Sequence, residues 1–211
     1  MTEANATPLE LGAHTAALFA TPVVRYRWPD SEQLNQQLRA MILEREKVDR
    51  GDAKNLVNGW SSSKDMTHWT DPATHQLIQR FYRAAHGLMR VIDPQTERLR
   101  QLQLEAWANV SRNGAYHGVH SHPNSAWSGV YYVSVGTPAE GYNEYNGQIE
   151  LLDPRTAVDS VAYDGSPFTL RSRIAPEPGL MLMFPSWLKH MVHAFYGTGE
   201  RISVAFNFMP M

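Results

Sequence analysis

Apolar residues recur at a helical spacing in two stretches of the first half of the chain. The first stripe, which predicts a helix ending near Glu46, consists of Leu34, Leu38, Met41 and Ile42. Asp30 or Ser31 can cap its N-terminus, with Gln33 placed as in a capping box. Asp71 followed by Pro72 is typical of a helix start, and the helical spacing then continues to residues 93–94, Asp-Pro.

The segments around these two helices lack a helical period. Residues 1–13 are predicted to form a loose arm, and residues 47–70, which are polar and contain Gly and Ser, are predicted to form a long loop. Phe19–Trp28 is short and aromatic, and Pro22 makes it an edge strand at best.

After about residue 100 the apolar period becomes two, which predicts strands. They are expected at residues 102–110, 128–135, 147–152, 179–184, 190–196 and 201–208. Helices followed by a run of short strands predict a mainly β fold with N-terminal helices, either a sandwich or a jelly roll. The length of 211 residues fits a single domain, with helical support and an edge strand in 1–100 and a jelly-roll core in 101–211.

The last predicted strand has two different faces. The apolar face, for which the helices are the expected packing partner, consists of Ile202, Val204, Phe206 and Phe208. Arg201, Ser203 and Asn207 share the other face, which is either solvated or lines a polar barrel interior. The turn at residues 197–199, Gly-Thr-Gly, predicts a hairpin between this strand and 190–196, with Asn207 across from His190.

Composition narrows the class of protein. The net charge of −2 argues against a nucleic-acid-binding surface, and the absence of Cys excludes disulfides, thiolate metal sites and a cysteine nucleophile. No apolar stretch is long enough to span a membrane, and the polar N-terminus does not read as a signal peptide. We therefore expect a cytoplasmic location without membrane or nucleic-acid partners, and we allow for a homodimer.

Histidines are the candidate functional residues. In the stretch HGVHSH at 117–122, His120 and His122 share one face of an extended chain, whereas His117 is expected to point elsewhere. Two imidazoles at this spacing suit half of an Fe or Zn site, although surface histidines are an equally good reading of the spacing. Only one of His190 and His193 can face the same cavity, because an odd spacing separates them.

Several segments together resemble one family, the bacterial "putative 2OG-Fe(II) oxygenases" of the prolyl-hydroxylase-like superfamily. They are LFATPVV at 18–24, NGWSSSKDM at 58–66, HSHPNSAWSGVYYV at 120–133, GQIELLDPR at 147–155, PGLMLMFPSWLKHMV at 178–192 and RISVAFNF at 201–208. The resemblance implies a double-stranded β-helix, Fe(II) as cofactor and 2-oxoglutarate as co-substrate. It also implies that His120 and His190 bind iron, that Arg201 holds the remote carboxylate of 2-oxoglutarate, and that Ser203 and Tyr132 contact it.

One residue departs from the wider superfamily, which uses two His and one carboxylate as iron ligands. His122 stands at the carboxylate position, so either it is the third ligand or Glu150 or Asp153 supplies a carboxylate. His117 and His193 are read as structural or supporting residues. Asn207 and Asn124 are candidate supporting residues of the site, and the candidate substrate-pocket residues, which could equally be core, are Trp60, Trp127 and Trp187.

Three functions stay open. The first is an Fe(II)- and 2-oxoglutarate-dependent oxygenase that hydroxylates a small molecule or peptide. The second is a three-His, cupin-type dioxygenase that does not use 2-oxoglutarate, and the third is a jelly-roll binding protein without enzymatic activity. Residues 47–70 and 136–146 are expected to shape the substrate entrance.

Overall fold

The computed structural model describes residues 18–52, 55–95, 102–155 and 171–210. The helices are α1, Glu32–Val48, and α2, Pro72–Ile92. The strands are β1 Val24–Arg27, β2 Leu56–Ser61, β3 Leu102–His120, β4 Trp127–Pro138, β5 Ile149–Leu152, β6 Arg171–Ile174, β7 Leu180–Pro185, β8 His190–Phe195 and β9 Gly197–Pro210. The predicted mainly β fold with N-terminal helices is confirmed, while the predicted arm at 1–13 lies outside the described residues.

Both predicted helices are present, but only the second is capped by a side chain. The Asp71 carboxylate accepts a hydrogen bond from the Ala73 backbone N–H at 2.8 Å. Ser31 is the N-cap of α1, yet its hydroxyl donates to the Trp28 carbonyl. The predicted capping box is therefore wrong, because the helix starts one residue too late for Gln33 to stand at its third position. Among the described residues, no helix is long and apolar enough to cross a membrane.

The strands form one sheet of order β1-β7-β4-β9-β3-β8-β5-β6, and β2 also pairs with β3. The strand β1 lies at the end of this order, as predicted for an edge strand. Two strands were not predicted: β6, and β2 within the supposed loop 47–70. The strand β2 forms because it can pair with β3, and its Trp60 is buried in the core, which no local pattern encodes.

The predicted hairpin between β8 and β9 is wrong. His190 pairs with His120 and Phe195 with Ala115, and the antiparallel register then continues along β3. The strand β9 then pairs with the earlier part of β3, beginning with Arg201 opposite Ser111. The 19-residue strand β3 thus spans both partners, so residues 197–199 continue the chain direction instead of reversing it.

Alternation along the strands creates two apolar clusters, one on each face of the sheet. One cluster joins the sheet to the helices, as expected for the apolar face of β9, and in it Phe81 of α2 stacks on Phe206 with ring centroids 4.0 Å apart. The other cluster lies across the sheet and consists of Tyr132, Ile149, Leu151, Ile174, Leu180, Leu182, Phe184 and Leu188. The polar residues of β9 face this second side, where a cavity opens.

Candidate active site

Three histidines converge at the cavity. One ring nitrogen from each of three residues lies within 4.8 Å of a ring nitrogen of the other two: His120, His122 and His190. The ring centroids of His120 and His190 are 4.3 Å apart, because these two residues are directly opposed in the β3–β8 pair. His122, two residues beyond His120, lies 5.1 Å and 5.2 Å from the other two rings. This is the set that sequence reasoning favoured.

Backbone carbonyls fix two of these rings. The Nδ1 atom of His120 lies 2.8 Å from the Gly118 carbonyl oxygen, and that of His190 lies 2.9 Å from the Leu188 carbonyl oxygen. A carbonyl oxygen only accepts, so Nδ1 carries the proton and the Nε2 lone pair is left for a metal. The same arrangement orients metal-binding histidines in general.

Aromatic packing, rather than a carbonyl, supports the third ring. The Trp107 ring lies 5.9 Å from the His122 ring, and the Lys64 ammonium lies over Trp107 and pairs with Glu105 at 3.1 Å. Trp107 and Lys64 both line the cavity, and sequence reasoning missed both. Trp107 alternates with the apolar residues Ala106 and Ala108, which places it on the polar face of β3. This alternation is the sequence signal that could have identified Trp107 as a cavity residue.

Burial keeps the three imidazoles neutral. It lowers the pKa of His122 to about 3 and that of His190 to about 4, with smaller contributions from the neighbouring histidines, and it also lowers the pKa of His120. A neutral imidazole is the form that binds a metal. The donor set therefore fits a borderline cation such as Fe(II) at neutral pH.

Neither alternative carboxylate belongs to this cluster. Glu150 is completely buried and is hydrogen-bonded to Arg171 at 2.9 Å, Arg173 at 2.6 Å and His193 at 2.9 Å. Asp153 pairs with Arg155 at the end of β5. Both carboxylates are thus engaged elsewhere, and His193 supports Glu150 on the face away from the cavity.

A buried cation lies deeper in the same cavity, which has a volume of about 310 Å³. Arg201 is only 2% exposed, and no ion pair among the described residues includes it. Its guanidinium lies 5.1 Å from the Tyr132 ring centroid, and Arg201 Nε and Tyr132 Oη are buried without a hydrogen-bond partner. Ser203 lines the same wall.

A buried guanidinium without a carboxylate is costly unless a ligand supplies the anion. Burial accordingly lowers the pKa of Arg201 and raises that of Tyr132. The unsatisfied Nε and hydroxyl groups fit an anionic co-substrate such as 2-oxoglutarate, whose remote carboxylate can accept from a guanidinium.

His117 also lines the cavity, contrary to the expectation that it points elsewhere. In the β3–β8 register, Val192 is two positions from His190, but its partner His117 is three positions from His120. This bulge shifts the alternation by one residue and turns both histidines of β3 to the same side.

The supporting residues predicted from the sequence have different positions. Asn207 is buried in the cavity wall, where its Oδ1 accepts a hydrogen bond from the Ser128 hydroxyl at 2.8 Å. The same hydroxyl lies 2.9 Å from the Ser186 hydroxyl. Asn124 is exposed in a turn with a left-handed backbone, φ 65°, a conformation that Asn tolerates, and it does not line the cavity.

The predicted pocket tryptophans are likewise elsewhere. Trp60 is buried and donates to the Asp49 carbonyl, Trp127 packs against the helix-facing core, and Trp187 is 56% exposed. Of the predicted entrance segments, 47–70 supplies cavity residues including Asp52, Leu56 and Lys64, whereas 136–146 supplies none among the described lining residues.

Three solved structures with similar folds are distant from this chain in sequence. A prolyl-4-hydroxylase from Pseudomonas putida is 18% identical with a TM-score of 0.58, covering 90% of this chain and 92% of its own. A viral collagen prolyl hydroxylase from Paramecium Bursaria Chlorella virus-1, in complex with 2OG, is 13% identical with a TM-score of 0.58 and coverages of 90% and 96%. HygX from Streptomyces hygroscopicus, with nickel and 2-oxoglutarate bound, is 14% identical with a TM-score of 0.58 and coverages of 90% and 84%. This likeness shows the fold, a double-stranded β-helix.

Comparison of the sequence with protein families is more specific than comparison of the fold. No curated protein matches the chain. Residues 105–207, however, match the family described as "Putative 2OG-Fe(II) oxygenase", and the matched segment runs from β3 to β9. It therefore contains all three clustered histidines, Tyr132 and Arg201. The segment that carries the candidate site thus matches the 2OG-Fe(II) oxygenase family, and the fold of the chain agrees with this match.

Proposed function

We propose that this oxygenase hydroxylates a C–H bond, with His120, His122 and His190 holding Fe(II) and Arg201 anchoring 2-oxoglutarate. The observation that carries the proposal is the shared cavity, which contains three convergent imidazoles and a buried guanidinium without a carboxylate partner. Neutral nitrogen ligands suit the metal, and the guanidinium suits the remote carboxylate of the co-substrate.

Fe(II) and 2-oxoglutarate, when bound, supply the oxidative chemistry, in which O₂ and the keto acid yield succinate, CO₂ and a hydroxylated substrate. The chain's own residues bind and orient these groups. The Gly118 and Leu188 carbonyls keep Nδ1 of His120 and His190 protonated, so that each presents Nε2 to the metal. Tyr132 and Ser203 offer hydroxyls beside Arg201, and an apolar cluster lies on the same face of the sheet.

The test is anaerobic reconstitution with Fe(II) followed by titration with 2-oxoglutarate, monitored through the weak visible charge-transfer band of the keto-acid chelate. The band should form in the wild type and in Arg112→Ala, a matched control that removes a surface arginine paired with Glu46. Arg201→Ala should weaken 2-oxoglutarate binding by roughly 100-fold or more while leaving iron bound, because a buried charged pair is lost.

Other results would favour the alternatives. Iron binding without the band would favour a three-His dioxygenase that does not use 2-oxoglutarate, and Arg201 would then anchor the substrate. Absence of stoichiometric iron would favour a binding protein in which the histidines are structural.

We further propose that the chain forms a single oxygenase domain, since one apolar cluster includes residues of both helices and of β3, β4, β7 and β9. The absence of Cys agrees with a reducing compartment, and we propose a cytoplasmic location on that ground. We propose a small molecule or peptide as the substrate, without nucleic-acid or membrane partners, and a homodimer as the state to test by light scattering.

A further inference from the structure

Unsatisfied buried polar atoms are concentrated at one place in the described part of the chain. Five buried side-chain nitrogen or oxygen atoms lack a hydrogen-bond partner there: Trp28 Nε1, Arg45 Nε, His117 Nδ1, Tyr132 Oη and Arg201 Nε. Three of the five residues, His117, Tyr132 and Arg201, line the same cavity. Because buried polar groups are nearly always paired, this concentration indicates a polar ligand that contacts all three.

The register of β3 locates His117 between the metal site and the guanidinium. His120 is opposite His190 near the end of β3, and Arg201 is opposite Ser111 nine residues earlier in the chain. His117 lies between these two positions, opposite Val192, and its ring is 6.2 Å from the ring of His120. A ligand that reaches from the metal to Arg201 therefore passes His117.

The charge state of His117 suits a hydrogen bond to an anion. Burial, and after it the nearby Arg201 charge, lowers the pKa of His117 to about 3. The neutral ring offers one N–H donor and adds no positive charge beside Arg201.

We propose that His117 donates a hydrogen bond to the remote carboxylate of 2-oxoglutarate, next to Arg201. This inference rests on the proposed function and adds a binding residue that only the bulge in β3 brings into the cavity. His117 would then contribute to selection of a dicarboxylic over a monocarboxylic keto acid, because its proposed partner is the remote carboxylate.

Calorimetric titration of the full-length, anaerobic Fe(II) protein tests this without turnover. His117→Phe keeps a ring but removes both nitrogens, and it should weaken 2-oxoglutarate binding roughly tenfold or more, since a hydrogen bond to a charged group is lost. Binding of 2-oxopentanoate, which lacks the remote carboxylate, should change less than about twofold. The matched control is His86→Phe, on an exposed position of α2.

Two further variants identify the donor atom and guard against misfolding. Gln places an amide nitrogen near the position of Nε2 and Asn places one near that of Nδ1, so one of His117→Gln and His117→Asn should restore most of the affinity. If all three His117 variants bind 2-oxoglutarate as tightly as the wild type, or if 2-oxopentanoate loses as much affinity, the inference is wrong while the proposed function stands. If the wild type itself binds no 2-oxoglutarate, the proposed function fails first.

Discussion

Two polar clusters lie on opposite faces of β8, and each includes one of its histidines. The inner cluster contains His190 with His120 and His122, has no carboxylate, and shares its cavity with Arg201, which no described ion pair includes. The outer cluster contains His193 with Glu150, Arg171 and Arg173, and every hydrogen bond of its carboxylate is made within the chain. The two histidines are three positions apart, and this odd spacing sends them to opposite faces of the strand.

The difference between the clusters separates structural from ligand-binding polar groups. In the outer cluster the chain supplies both charges, so the buried carboxylate is compensated and holds β5, β6 and β8 together. In the inner cluster the chain supplies three imidazoles and, in the same cavity, a guanidinium that no described ion pair includes, so a metal and an anion that bind there would come from outside the chain. Buried polar residues that the chain leaves uncompensated are therefore the ones to test for function.

The largest effect is expected from exchanging the two histidines of β8 for Ala in turn. His190→Ala removes one of the three proposed metal ligands and should lower Fe(II) affinity by more than about 100-fold, beyond the effect of typical supporting residues. His193→Ala should change Fe(II) affinity less than about tenfold. Anaerobic metal titration measures the Fe(II) affinity of both variants. Equal losses of affinity would contradict the assignment of His190 and His193 to different functions on opposite faces of β8.

The outer cluster should matter for stability instead. Burial alone would raise the pKa of Glu150, but hydrogen bonds from His193, Arg173 and Arg171 outweigh it and lower the pKa to about 2. Because the unfolded chain takes up the proton first, the stabilisation is present above pH 4.5 and is lost as the pH falls towards 2. Glu150→Gln should lower the free energy of unfolding at pH 7 by roughly 3 kcal/mol and remove this pH dependence.

Denaturant unfolding at several pH values measures this contribution. Asp153→Asn is the matched control, since its partner Arg155 is half exposed and the pair should contribute less than about 1 kcal/mol. If the free energy of unfolding changes with pH in the same way in the wild type and in Glu150→Gln, the fold does not selectively stabilise the charged form of Glu150.

A smaller effect is expected when a carboxylate is introduced into the inner cluster. His122→Asp restores the two-His, one-carboxylate set and should retain Fe(II) within about tenfold of the wild type. It also lowers the charge of the iron centre by one and should weaken binding of the 2-oxoglutarate dianion. His122→Ala should bind Fe(II) more weakly than His122→Asp in the same titration, and the reverse order would argue that His122 is not a ligand.

The smallest effect is expected at Trp107, which supports the one inner histidine without a described carbonyl partner. Trp107→Leu removes the ring against His122 and should weaken Fe(II) binding about threefold, consistent with an aromatic contact of about 0.5–1.5 kcal/mol. Trp187→Leu, on an exposed site before His190, is the control. If Trp107→Leu and Trp187→Leu bind Fe(II) equally tightly, the Trp107 ring does not contribute to orienting His122.

Local patterns predicted much of the fold and part of the arrangement of residues around the cavity. Alternation correctly divided β9 into a face that packs on the helices and a face with Arg201, Ser203 and Asn207 in the cavity. The i, i+2 spacing of His120 and His122 correctly predicted that these rings converge. Such patterns suffice where the property depends only on neighbours along one regular element.

The sequence by itself determined the helices, the alternating faces of the strands and the resemblance that pointed to iron and 2-oxoglutarate. Only the tertiary structure decided the pairing of β2 with β3, the continuation of β8 into β9 along β3, the engagement of Glu150 away from the cavity and the turn of His117 into it. The last depends on one extra residue in β3 relative to β8, and a bulge arises from the registration of two distant strands. Periodicity along one strand cannot encode that registration, because it depends on which partner the strand meets.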